Sequence, residues 1–339
     1  MKRILFLSLL VIISSCKPEK NAEEILKSKF TFLTIPQIDS IENEFNQDQL
    51  IKILVLLHNN FSEDEIKEHL NLTDIQYDEK INQLFGNGLI KKKDNGKFVP
   101  ACMIIDSEGQ KELKKIAKPI GKMAAEIVID RLPLVKEAYS EFFTNRKKAA
   151  LNKSSFDDAS LFILSNVMLN NWQLKNIQEK FIRANIPQRG DKNYFAALFQ
   201  INNNLDNIFL NRIYKEKNQI IFTYTRDFKF KNNKALAGIT SEQNYMLLNN
   251  DWNEKLFEEM ASIITKDLIE NLNKQKPLLV KYYLNSHYKE ETSFKEWLMW
   301  TYQFIVTEAT EYLIEKNVIK NTDTKIYLVQ LDAKNRLSN

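Results

Sequence analysis

The residues best suited to chemistry form a polar and aromatic cluster around position 287. His287 is followed three and four residues later by the carboxylates Glu290 and Glu291. On a helix such residues share one face, and metal sites use histidine and carboxylate ligands at these spacings. The cluster also includes Tyr282, Tyr283, Tyr288 and Glu296. The chemistry that this pattern permits is metal binding or proton transfer between an imidazole and a carboxylate.

The sequence provides no further ligand close to this cluster. A metal site needs several protein ligands, but the two other histidines, His58 and His69, lie in a distant part of the chain. The chain also contains none of the HExxH, GxSxG or CxxC patterns that mark common metalloproteases, hydrolases and redox proteins. We therefore expect a polar helix junction with no metal, no cofactor and no catalytic residue, in a protein that is not an enzyme.

Composition and charge exclude two further classes of protein. Lys and Arg total 48 and Asp and Glu total 44, which gives a net charge of +4. So weak an imbalance provides little attraction for nucleic acid or for an anionic membrane surface. The chain has only seven glycines, and none are spaced as in the phosphate-binding loops of nucleotide-binding enzymes. A chain of 339 residues is long enough for about two or three domains.

The N-terminus has the pattern of an export signal. A basic pair at positions 2–3 precedes an apolar run at 4–13, which is shorter than the ~20 residues that span a bilayer. The residues Ile13-Ser14-Ser15-Cys16 resemble the lipobox of bacterial lipoproteins, in which two small residues precede the lipidated cysteine. The resemblance implies that residues 1–15 form a signal peptide and that Cys16 carries acyl chains. The chain would then be anchored in the cell envelope outside the cytoplasmic membrane, in either the inner or the outer membrane.

An ordinary secretory leader that is cleaved near a cysteine is the alternative for this segment. The chain has only one other cysteine, Cys102, so lipidation of Cys16 leaves no pair for an intramolecular disulfide. Cys102 lies in the apolar run 99–105, and we expect it to be a small buried hydrophobic residue rather than a reactive thiol. The fold is then expected to depend on its core alone.

Residues 46–105 have the order helix, helix, turn, helix and hairpin. The predicted elements are helices at 49–58, 62–70 and 74–85 and hairpin strands at 89–93 and 97–105. Ser62 and Glu65 predict a capping box for the second helix, and Asp94-Asn95-Gly96 predicts a tight turn. This arrangement resembles the winged helix-turn-helix domain of bacterial regulators of the MarR and ArsR type. The resemblance implies that the third helix is the recognition helix and that the hairpin is the wing.

The charges on this unit differ from those expected of a DNA-binding domain. The third helix carries Asp74, Asp78 and Glu79 against one lysine, and residues 46–105 contain seven lysines and nine acidic residues. A recognition helix normally presents Arg, Lys, Asn or Gln to base edges and passes between phosphates, which these carboxylates would repel. We therefore predict that Asp74, Asp78 and Glu79 form a protein-contact face and that DNA is not a partner.

The hairpin carries four of the seven lysines of this unit. Its lysines are Lys91, Lys92, Lys93 and Lys97. These side chains could contact phosphates, but lysines on a hairpin are more typical of a solvated strand edge that blocks pairing with other chains.

The residue pattern in the remainder of the chain predicts a mainly helical protein. Residues 16–45 are expected to be an anchor linker followed by a short helical and apolar segment. Residues 106–339 are expected to be mostly helical, with a small antiparallel sheet near 194–230. The predicted fold class is therefore mainly α: a winged helix-turn-helix domain followed by an α-helical domain with a small antiparallel β-sheet.

Three features of the helical domain lead to specific expectations. Residues 110–144 predict two helices, broken or kinked near Pro119 and Pro133. Residues 293–315 predict one long helix whose aromatic residues spread around its circumference, which is typical of a helix buried on most sides. We expect Trp297 and Phe304 in that helix to be core residues.

Two functions are consistent with these patterns. The first is a membrane-anchored lipoprotein with a non-catalytic binding or scaffolding role, in which the winged helix contacts an unknown protein partner. The second is a winged-helix transcriptional regulator that binds DNA in the cytoplasm. After Met1 the next methionine is Met103, so an internal methionine start would remove the whole winged helix. The second function would therefore require translation from an unconventional start codon or an export signal that does not function.

Overall fold

The computed structural model describes residues 21–144, 155–183, 185–201, 210–216, 219–225, 245–248, 254–320 and 326–330. Within these residues the fold is mainly helical with small sheets, as the sequence predicted. None of the described helices has the length and apolar character needed to cross a bilayer. Cys16 and the rest of the expected export signal lie outside the described residues.

The N-terminal part combines five short helices with one strand. In chain order these are α1 (Ala22–Lys27), β1 (Lys29–Ile35), α2 (Asp39–Phe45), α3 (Asp48–His58), α4 (Glu63–Leu70) and α5 (Asp74–Gly86). The capping box expected at Ser62 and Glu65 is present, because each residue's side chain accepts a hydrogen bond from the other's backbone N–H. Thr73 and Gln76 form a second capping box that begins α5. The strand β1 differs from the expectation of a helical segment before residue 46.

A short hairpin follows α5, although it ends earlier than the sequence predicted. Its strands are β2 (Ile90–Lys92) and β3 (Phe98–Pro100), and its turn places Gly96 at a φ of +83°, a conformation that favours glycine. The next strand, β4 (Met103–Ile105), leaves the hairpin and joins another sheet. All three of its residues are buried, which suits a strand covered on both faces and not an exposed hairpin edge.

A three-stranded sheet lies between two hydrophobic cores. Strand β7 (Phe195–Ile201) is central, antiparallel to β1 and parallel to β4. The odd-numbered residues Phe195, Ala197 and Phe199 pack into the larger core with the long helices. The even-numbered residues Tyr194, Ala196 and Leu198 pack into the core beneath α3, α4 and α5. Strand β7 therefore packs on one face against the helix–hairpin unit, defined here as residues 48–100, and on the other face against the long helices.

The sheet predicted near 194–230 is thus divided between two sheets. Two short strands, β5 (Gln188–Arg189) and β6 (Lys192–Asn193), form a ribbon before β7. A separate four-stranded sheet has the order β10-β11-β9-β8, from β8 (Leu210–Glu216), β9 (Gln219–Thr225), β10 (Tyr245–Leu248) and β11 (Ile326–Gln330). The β-strand propensity of the sequence predicted the approximate positions of β7, β8 and β9. It could not predict that β7 pairs with strands much earlier in the chain.

Helices of very different lengths form most of the second half of the described fold. They are α6 (Ser107–Thr144), α7 (Phe156–Leu161), α8 (Asn171–Asn176), α9 (Glu254–Asn285) and α10 (Phe294–Glu315), with π-helical segments at Phe162–Asn170 and Ile177–Ile182. The prediction of two helices over residues 110–144 was wrong, since both Pro119 and Pro133 lie inside the single helix α6. Proline removes one hydrogen bond and crowds the preceding turn, and burial of the apolar face of α6 in the large core offsets this cost.

Helices α6 and α10 are in close contact at Gly121. A Cβ atom added there would lie 2.6 Å from the Cβ of Glu308 and 2.8 Å from the backbone nitrogen of Ala309. Only glycine permits so close a contact between the two backbones. This packing helps to fix α10, whose first turn carries Glu296.

Candidate functional site

The three acidic residues predicted to form a protein-contact face lie on the surface of α5. Asp74, Asp78 and Glu79 are all exposed. Ile75 lies between them on the helix surface with 73% of its area accessible, and Phe85 is 52% accessible near the end of the helix. Residues 75, 78 and 79 share one face because they are spaced by three and four positions. The face is therefore apolar at its centre and acidic on both sides.

The three carboxylates of this face differ in how they are paired. Lys67 on α4 lies 2.8 Å from the carboxylate of Asp74, and this hydrogen bond holds the pKa of Asp74 below its usual value. Within the described part of the chain, Asp78 and Glu79 take part in no ion pair. The negative charge available to a partner is therefore mainly that of Asp78 and Glu79.

Two of the wing lysines make contacts inside the protein. The Nζ atom of Lys93 lies 2.9 Å from the carboxylate of Glu290, and Lys97 donates a hydrogen bond of 3.0 Å to the carbonyl of Asn60. These contacts connect the hairpin to the helices on either side of it. They also reduce the number of lysines that could contact a phosphate.

Lys91 and Lys92 are the exposed lysines of the hairpin. The ammonium of Lys92 lies 5.7 Å from the centre of the Phe98 ring, within the range of a cation–π contact. Loss of solvation lowers the pKa of Lys91, and the neighbouring charge of Lys93 adds to this effect. The accessible lysines of the hairpin are therefore mainly Lys91 and Lys92.

The cluster around position 287 gains a second histidine through the fold. His58 is the last residue of α3, whereas His287 begins a short 3-10 helix (His287–Glu290) that Glu291 follows directly. The Nδ1 atom of His58 lies 2.5 Å from Oε1 of Glu291, and the two imidazole rings are 5.1 Å apart. One candidate ligand atom from each of the three residues lies within 4.8 Å of the other two.

Sequence spacing could not have identified His58 as part of this cluster. It precedes Glu291 by 233 residues, so no local spacing in the sequence connects it with His287. The helix–hairpin unit and the helical part bring these residues together only when both are folded. The sequence carried no local signal for this contact.

The three residues of the cluster differ in exposure. The side chains of His58 and Glu291 are each only 7% accessible, whereas His287 is exposed. The second carboxylate oxygen of Glu291, Oε2, is buried and has no hydrogen-bond partner among the described residues. A buried carboxylate oxygen without a partner is costly, so this atom points to a missing interaction.

The other members of the predicted cluster hold the segment in place. Glu296 forms a buried ion pair with Arg189, at 2.8 Å, and accepts hydrogen bonds from the Ala196 N–H and the Thr292 hydroxyl, each at 2.8 Å. The hydroxyl of Tyr283 donates to the carbonyl of Thr292 at 2.7 Å. These contacts fix the backbone immediately after Glu291.

The two remaining tyrosines of the cluster have contrasting environments. Tyr282 is 40% accessible and Tyr288 is 1% accessible, and burial raises the pKa of the Tyr288 phenol well above its usual value. The predicted cluster is thus a junction where α9, the 3-10 helix and α10 meet the helix–hairpin unit. Within this junction Glu296 stabilises the fold through its buried ion pair with Arg189. Glu291 instead has a buried carboxylate oxygen without a hydrogen-bond partner among the described residues.

Cys102 has the character expected of a buried hydrophobic residue. Its side chain is fully buried, and burial raises the pKa of the thiol to about 12. A thiol with so high a pKa forms little thiolate, the reactive species, near neutral pH.

Comparisons with protein-family models, with curated proteins and with solved structures give no match to this chain.

Proposed function

We propose that this chain is a lipid-anchored protein of the cell envelope with a non-catalytic binding role. In this proposal the helix–hairpin unit is a winged helix-turn-helix domain that contacts a protein instead of DNA. The observation that carries the proposal is Ile75, whose side chain is 73% accessible at the centre of the face that a DNA-binding domain would insert into the major groove.

The chemistry of this face favours a protein partner. An exposed isoleucine flanked by Asp78 and Glu79 suits a shallow apolar pocket with basic residues on its rim, since burial of the isoleucine would provide affinity and the charges would orient the two surfaces. Phosphates would instead be repelled by these carboxylates. Lys93 and Lys97, which make contacts inside the protein, would add little compensation.

A test of this face compares protein cross-linking with DNA retention. A photo-reactive amino acid at position 75 of the full chain is expected to cross-link a distinct envelope protein in cells. The double substitution Asp78→Lys/Glu79→Lys should abolish this cross-link, because it places positive charge against a basic rim. Glu68→Lys is the matched control, since Glu68 is an exposed acid on α4, and the cross-link should persist in that variant.

DNA binding by the full chain in detergent provides the opposing measurement. We expect weak retention of duplex DNA without sequence preference, lost at physiological salt, because a few lysines release only a few counterions. Tight and sequence-selective binding at physiological salt would contradict the proposal and support the cytoplasmic regulator.

The membrane anchor is tested separately at Cys16. Replacing it in Cys16→Ser removes the thiol that the lipobox resemblance assigns to lipidation. We expect metabolic labelling with a fatty acid to mark the wild type but not the variant, and the variant to leave the membrane fraction. Cys102→Ser is the control, and its labelling should equal that of the wild type. Equal labelling of wild type and Cys16→Ser would show that Cys16 does not carry the lipid and would contradict the lipobox resemblance.

A further inference from the structure

We propose that His58, His287 and Glu291 form a binding site for a divalent transition-metal ion of the zinc type. Two imidazoles and one carboxylate are a donor set that such ions prefer. Their ligand atoms lie within 4.8 Å of one another. This site is independent of the protein-contact face on α5.

The geometry of the cluster is close to that of a metal site. With metal–ligand bonds of about 2.0–2.1 Å, the ligand atoms of a tetrahedral site lie about 3.3 Å apart. The 2.5 Å contact between His58 and Glu291 is shorter than this separation, and the ligand atoms of all three residues lie within 4.8 Å of one another. An ion would therefore move His58 and Glu291 slightly apart. The exposed side chain of His287 would complete the set of ligands.

The carboxylates around the cluster differ in whether they already have a positively charged partner. Glu290 is paired with Lys93, and Glu296 is paired with Arg189. By contrast, the buried Oε2 atom of Glu291 has no hydrogen-bond partner among the described residues. A bound cation would provide the missing interaction.

The positions of the ligands in the fold also support binding. His58 lies at the C-terminal end of α3, where the helix dipole favours positive charge. The backbone N–H of Glu291 donates to the carbonyl of Tyr288, and its carboxylate is hydrogen-bonded to Nδ1 of His58, so two of the three ligands are held together before an ion arrives. Exposure of His287 leaves room for a water molecule as a further ligand.

An ion at this position would connect two parts of the fold. His58 belongs to the helix–hairpin unit, whereas His287 and Glu291 lie between α9 and α10. The ion pair between Lys93 and Glu290 already bridges the same junction. Metal binding should therefore strengthen the attachment of the helix–hairpin unit and raise the melting temperature.

The experiment uses the full chain, purified in detergent and stripped of metal with a chelator. Titration with Zn²⁺, followed by calorimetry, is expected to show one ion bound per chain and a rise in melting temperature. Titration with Co²⁺ should produce the visible absorption bands of a site with low coordination number. His287→Ala should weaken Zn²⁺ binding by about 100-fold or more, with little change in the melting temperature of the metal-free protein because this side chain is exposed.

Matched controls separate this site from nonspecific surface binding. His69 is the third histidine of the chain and is exposed on α4, so His69→Ala should keep the affinity of the wild type. Glu290→Gln should also keep it, whereas Glu291→Gln should lose it. Equal Zn²⁺ affinity in the wild type and His287→Ala, equal losses in His287→Ala and His69→Ala, or a wild type that neither binds Zn²⁺ nor gains thermal stability would each overturn the proposal.

Discussion

Replacement of Trp297 or Phe304 by alanine is expected to lower the free energy of unfolding by about 3–5 kcal/mol each. The two side chains are 1% and 2% accessible, which confirms that both are core residues. Trp297 packs against Tyr283 and Phe294, with ring centres 5.8 and 6.0 Å away, and Phe304 lies 6.3 Å from Phe199 on β7. Each truncation therefore removes apolar contacts and leaves a cavity where helices and sheet meet.

Urea unfolding of the full chain, followed by circular dichroism, would measure these losses. Tyr282→Ala is a suitable aromatic control, because this residue is 40% accessible and its loss should change stability only slightly. If Trp297→Ala and Phe304→Ala both unfold at the urea concentration of the wild type, then α10 is not packed as described. That result would instead indicate an exposed aromatic surface.

The parts of the fold that sequence predicted are those determined by local interactions. Ser62 and Glu65 predicted the start of α4 because a capping box joins residues only three positions apart. The predicted helix at 74–85 differs from α5 by one residue at its C-terminal end. In both cases the deciding hydrogen bonds lie within a single turn.

The contacts that sequence missed join distant segments. Strand β7 has apolar residues on both faces, and this pattern indicates burial on both sides without identifying its partners as β1 and β4. The two prolines in α6 suggested a break, but packing against α10 offsets their local cost. His58 reaches Glu291 for the same reason, because the tertiary structure alone brings them together.

The same distinction applies to the charged residues. Asp78 and Glu79 were predicted to be exposed from their helical spacing, and they are. Lys93 was expected to lie on a solvated strand edge, and its ion pair with Glu290, far along the chain, had no signal in the sequence. Helical periodicity predicts the orientation of a side chain, whereas the identity of its partner depends on the whole fold.

The buried ion pair between Arg189 and Glu296 is expected to have an effect as large as that of the core aromatics. Both side chains are at most 4% accessible. Arg189 also donates to the carbonyl oxygens of Gly88 and Ala101, at the two ends of the hairpin. The ion pair therefore connects the base of the hairpin to the first turn of α10. Its removal should weaken the contact between these two parts of the fold.

Glu296→Ala is expected to lower the free energy of unfolding by about 3–5 kcal/mol, because the guanidinium of Arg189 would remain buried without its counter-charge. Replacing both residues, as Arg189→Met with Glu296→Leu, should cost less than the sum of the two single changes, since neither charge is then left alone. Denaturant unfolding of Arg189→Met, Glu296→Leu and the double variant forms the necessary cycle. Glu290→Ala is the control, because that carboxylate is exposed and its pair with Lys93 is screened by water. Additive losses in the cycle would mean that the two charges do not stabilise one another, and the hairpin would then be held mainly by its apolar contacts with α3.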